Sequence, residues 1–82
     1  MAVFAWHLPP APAGKTYQMW LIDPKEDRTS GGFLIPEANQ PFVMAVIKSP
    51  QPLTGFVGLG VTVEPAGGSI KPTGARVLRV DF

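Results

Sequence analysis

Few side chains in this sequence are capable of chemistry. His7 is the sole histidine and cysteine is absent, so no histidine-pair or thiolate metal site, iron–sulfur ligation or disulfide can be built. The serines are Ser30, Ser49 and Ser69, and Ser69 follows Gly67-Gly68 in the manner of an activated serine. The nucleophile-elbow spacing is missing, however, and turn chemistry accounts for the Gly-Gly-Ser run. Asp23, Glu26 and Asp27 share a loop with Lys25 and Arg28. The regular alternation of oxygen ligands that a calcium loop needs is absent, and the segment reads as a solvated loop. Gly55, Gly58 and Gly60 precede no helix whose N-terminus could cradle a phosphate. Trp6, Tyr17 and Trp20 are the residues that could line a sugar-binding platform, but a small core needs such rings for packing, with Trp6 the exception. The sequence therefore predicts no enzyme, no cofactor and no metal.

Charge narrows the classes further. Seven basic and six acidic groups leave a formal charge of +1, and charged residues make up only 16% of the chain. The Lys and Arg are scattered rather than gathered on one stripe, so no nucleic-acid partner is expected. No apolar run approaches the ~20 residues that cross a bilayer, so membrane attachment would require a helix outside this sequence.

The elements that position these residues are set by ten Pro and nine Gly among 82 residues. The longest stretch free of both is Lys15 to Asp23, shorter than the ~11 residues of an average helix. Strand composition marks Ala2–Leu8, Thr16–Ile22, Phe42–Lys48, Phe56–Glu64 and Arg76–Phe82, all rich in β-branched and aromatic residues. Phe33–Ile35 could add a short edge strand behind Gly31-Gly32, and Asp23-Pro24-Lys25-Glu26 has the pattern of a single helical turn. The connections are too short for parallel crossovers. One domain spanning residues 1–82 is expected, an all-β, small antiparallel β-sandwich of immunoglobulin-like type.

Alternation assigns faces. Val57, Leu59, Val61 and Val63 form an unbroken apolar face, and Leu78, Val80 and Phe82 oppose Arg79 and Asp81, whose side reads as solvent. Gly58 and Gly60 lie opposite the valine face, where something must use the missing side chains. Thr16–Ile22 and Phe42–Lys48 are apolar on both faces, although a two-layer fold can cover only one. The second face is left exposed, covered by proline-rich loops, or covered by a partner. Self-association or a protein partner is expected there, with Trp6, Trp20 and Ile47 as the candidate interaction surface.

Two long blocks are more specific. Leu8-Pro9-Pro10-Ala11-Pro12-Ala13-Gly14-Lys15-Thr16-Tyr17-Gln18-Met19-Trp20-Leu21-Ile22 is followed downstream by Val61-Thr62-Val63-Glu64-Pro65-Ala66-Gly67-Gly68-Ser69 and Pro72-Thr73-Gly74. Together they resemble the C-terminal domain of the anti-sigma-K factor family, over about Leu8 to Leu78. The resemblance implies a sandwich-like domain on the extracytoplasmic side of the cell membrane, joined through a membrane helix to a cytoplasmic domain that holds an extracytoplasmic-function sigma factor. Neither the helix nor the sigma-binding domain lies in these residues, and Met1-Ala2 reads as a start set at a domain boundary. The implied role is sensory or regulatory, controlling release of the sigma factor. The alternative is a small extracytoplasmic binding module for a glycan or cell-wall component, because a sandwich hosts many functions.

Overall fold

The structure is a computed structural model, and it describes residues 2–6, 8–36, 41–47 and 55–82. Six strands follow in order: β1 (Ala2–Trp6), β2 (Lys15–Ile22), β3 (Arg28–Leu34), β4 (Phe42–Val46), β5 (Gly58–Pro65) and β6 (Arg76–Asp81). They form two antiparallel sheets, a pair β1-β4 and a four-stranded sheet ordered β3-β2-β5-β6. The all-β antiparallel expectation agrees with this.

The two sheets share one apolar core. Ala5 and Val43 of the pair meet Tyr17, Met19, Leu21, Leu34, Leu59 and Val61 of the larger sheet, with Ile47 and Phe56 closing the cluster. The proline-rich segment after β1 is tied to it, for the Tyr17 hydroxyl donates to the Pro9 carbonyl at 2.7 Å while Leu8 and Ala11 pack against the core. Stiff chain is useful here because little entropy is lost in holding it.

β3 is longer than the predicted Phe33–Ile35 strand, and Gly31-Gly32 lie inside it rather than at its start. The register passes from Met19↔Gly32 to Trp20↔Ser30, so Gly31 is the extra residue of a bulge. Ile47 fills the space beside it, with Cγ2 3.3 Å from where a Gly31 side chain would begin. The predicted helical turn at Asp23 is instead the loop of the β2–β3 hairpin. Asp23 Oδ1 accepts from the backbone N–H groups of Lys25 (2.8 Å) and Asp27 (2.9 Å), and Glu26 takes a left-handed φ of 66°. Those bonds satisfy the backbone locally and leave nothing to propagate a helix.

β6 also departs from its pattern. Leu78 and Val80 pair with Val61 and Leu59 and so share their face, yet Leu78, Val80 and Phe82 are exposed. The opposing sheet has only two strands, and β4 lies toward β3, at the far edge from β6. Val57 is exposed as well, because β5 begins one residue after it. Leu59→Ala is accordingly expected to cost about 2 to 5 kcal/mol through lost transfer energy and a cavity, whereas Leu78→Ala should stay within about 1 kcal/mol. Urea melts of the two variants check this, and equal losses would show that β6 is covered after all.

Candidate functional site

The three residues expected to form an interaction surface do not share one. Trp6 stands on the outer face of the β1-β4 pair and is 61% exposed. Ile47 is buried in the core against Gly31, which corrects its place in the expected interaction surface. Trp20 is corrected too: it has 0% exposure, on the side of the four-stranded sheet away from β1 and β4. Tyr17 is a core residue. The three rings thus occupy three separate places and make no platform for a sugar. His7, Ser49 and Lys48 lie outside the described residues.

Trp20 is interior because the segment after β5 folds across the outer face of β2. The anchor of that segment is Glu64, a residue that sequence reasoning used only to end a strand. Its carboxylate is fully buried. Oε2 accepts from the Thr62 hydroxyl and from the Gly74 N–H at 3.1 Å. Oε1 accepts from the Ser69 hydroxyl at 3.0 Å and the Thr73 hydroxyl at 2.5 Å, and the Thr73 N–H reaches both oxygens at 3.1 Å. The Thr62 oxygen in turn accepts the Trp20 Nε1–H at 2.8 Å. Gln18 ties down the same segment, since its Oε1 accepts from the Ser69 N–H at 2.9 Å while Nε2 donates to the Ser69 carbonyl and the Ser30 hydroxyl.

Among the described residues, no Lys or Arg pairs with Glu64. Burial alone would push its carboxyl upward, but hydrogen bonds from the Thr62 and Thr73 side chains and the Gly74 and Thr73 backbone outweigh this and hold it at about 2. The geometry accounts for the Pro72-Thr73-Gly74 motif. Thr73 and Gly74 are donors, and a side chain on Gly74 would start 1.7 Å from the Val63 carbonyl oxygen. The signal in the sequence was the conjunction of a strand carboxylate with Ser69, Thr73 and Gly74 close downstream; it lacked a partner charge to draw attention to it.

Ser69 is therefore a donor to a structural carboxylate. Among the described residues no group of His, Asp or Glu could hold a metal ion. Gly60 has Ile22 Cδ1 and the Arg76 stem beside it, and the β6 backbone closes on Gly58 at the Val80 carbonyl, 2.8 Å from where a side chain would begin. The small residues on that face are thus filled by protein. Arg79 extends to Glu26 (3.0 Å) and Asp81 (2.8 Å), an exposed pairing that links β6 to the β2–β3 loop.

Residues 1–76 match the family model described as anti-sigma-K factor rskA, C-terminal. That span includes Glu64 and every donor to it. A Streptomyces griseus protein described by its position in the phr 5′ region is 40% identical over 82 residues, covering 99% of this chain and 32% of the relative. Anti-sigma-K factor RskA of Mycobacterium ulcerans is 43% identical over 68 residues, covering 83% and 28% respectively. Anti-sigma-K factor RskA of Mycolicibacterium vanbaalenii is 40% identical over 67 residues, covering 82% and 26%. The chain thus spans about a third or less of the length of these curated relatives. No solved structure matches.

Two outcomes are expected from the carboxylate. With a folded value near 2 against 4.5 ordinarily, its contribution to stability is complete above pH ~4.5 and is lost as pH falls toward 2. Glu64→Gln should lower stability by about 2 to 4 kcal/mol, because an amide nitrogen meets donors it cannot accept from, and should flatten the acid limb of a stability-against-pH curve. An unchanged acid limb would remove Glu64 as its source. Gly74→Ala should displace the turn at a cost of about 2 kcal/mol or more and red-shift tryptophan emission as Trp20 becomes wet; unchanged emission and melting would refute the close approach to Val63.

Proposed function

The chain belongs to the family of anti-sigma-K factor C-terminal domains, and from that premise we propose that it is the extracytoplasmic regulatory domain of a membrane-anchored anti-sigma factor. In this reading a cytoplasmic part of the parent protein binds an extracytoplasmic-function sigma factor, and the state of the outer domain governs its release. The family match across residues 1–76 carries the reading. Its regulatory character accords with what the side chains do. Ser69, weighed above as a nucleophile, is spent with Thr73 and Glu64 in holding a turn, and the family is that of a regulatory factor rather than an enzyme.

No described helix is long and apolar enough to cross a membrane, so anchoring would come from residues of the parent beyond those given. We further propose that the 82 residues are one domain and that its two sheets form an immunoglobulin-like sandwich. The shared core between them supports the second of these. The glycan-binding alternative loses its aromatic platform, since Tyr17 and Trp20 are both interior.

The test is a reporter driven by the cognate sigma factor in cells carrying the parent protein. Glu64→Gln or Gly74→Ala in this domain should change reporter output at equal parent abundance, while Leu78→Ala should not. Reporter output indifferent to unfolding or deletion of the domain would overturn the regulatory role.

A further inference from the structure

The uncovered face of the β1-β4 pair has no polar side chain except the indole N–H of Trp6. Register places Ala2 opposite Val46, Phe4 opposite Met44 and Trp6 opposite Phe42. Alternation puts these six on the side away from the core, where Ala5 and Val43 point. Phe4, Trp6, Phe42, Met44 and Val46 are 36% to 61% exposed. The rings brace one another, with centroids 4.9 Å apart for Trp6 and Phe42 and 5.9 Å for Phe4 and Phe42, both pairs tilted. Aromatic groups already held in one arrangement lose little entropy when a partner arrives.

We propose that this face is the contact between two copies of the chain, stacked sheet on sheet about a two-fold axis. The first argument is area. The chain exposes 5181 Å², against about 4,800 Å² for a folded monomer of this size. The six side chains expose on the order of 600 Å², at the upper end of what monomers leave uncovered. Two such faces would bury on the order of 1,200 Å², the lower bound of a specific interface.

The second argument is charge. A face brought against itself must tolerate its own charges, and β1 and β4 contain none. The chain as a whole carries only +1, so long-range repulsion between copies is weak. A lipid surface is disfavoured because β1 and β4 supply no Lys or Arg for headgroups. The geometry is also self-complementary: a two-stranded antiparallel ribbon is nearly two-fold symmetric about its normal, as an isologous contact requires.

This inference is independent of the regulatory role proposed above, and its test needs no sigma factor. Sedimentation equilibrium of the 82-residue chain, from about 1 µM to 500 µM, should show reversible dimerisation. Met44→Lys should weaken it at least ~10-fold with no loss in melting temperature, since Met44 has no core contact to lose. Val80→Lys, on the exposed part of β6, should leave it unchanged. Trp6 supplies a second readout, because Trp20 is already dry. Emission should shift to the blue with concentration in the wild type and not in Met44→Lys. A wild-type chain monomeric at 500 µM would overturn the proposal. So would dissociation by Val80→Lys rather than Met44→Lys, or Met44-dependent binding to neutral or anionic vesicles by a chain that stays monomeric.

Discussion

A buried carboxylate that no described Lys or Arg pairs with is the constraint on which the rest of this small fold depends. An ionised Glu64 withdrawn from solvent is costly unless its lone pairs are filled, and here they are filled by the Thr62, Ser69 and Thr73 hydroxyls and the Thr73 and Gly74 backbone. All but Thr62 lie on the segment that follows β5. The carboxylate can therefore be satisfied only if that segment folds back across the sheet. The charge makes the turn obligatory, and the turn makes the charge tolerable.

What the turn covers is the outer face of β2. That strand is buried from Tyr17 to Ile22 on both sides, a pattern normally seen where helices flank a sheet on both faces. In this chain one side is covered by β1 and β4 and the other by irregular chain pinned to Glu64 and Gln18. The third layer is thus made of loop, and hydrogen bonds rather than apolar area fix its position. Such an arrangement suits a domain of 82 residues, which has too little chain to spare for a further sheet.

Cover runs out elsewhere. Among the described residues no loop is pinned across the outer face of sheet β1-β4, and the inner side of β6 extends past the pair that would shield it. The same scarcity of chain that produced a compact β2 leaves these apolar surfaces in water. With Gln18, Glu64, Ser69 and Thr73 committed to holding a turn, the exposed apolar faces are surfaces that remain open to contact. A regulatory role is consistent with that distribution.

The sequence by itself determined the class of structure, the strand set and the family. Proline and glycine spacing excludes long helices whatever the tertiary context, and alternation is a local property, so the inward face of β5 could be assigned from Leu59 and Val61 alone. Alternation cannot say whether an opposite layer extends far enough to cover a face. That is why Leu78, Val80 and Phe82 read as core yet are exposed, and why β2 and β4, equally apolar on both sides, have opposite fates. Strand pattern put Ile47 on one face with Val43 and Ala45 but could not say which face of β4 meets the larger sheet; the core lies on that side, and Ile47 is buried there beside Gly31. Trp20 went under a turn because a carboxylate 44 residues away needed donors from chain that only folding brings near. Local periodicity depends on neighbouring residues, whereas cover and hydrogen-bond satisfaction depend on which distant segments share a volume, and only the tertiary structure decides that.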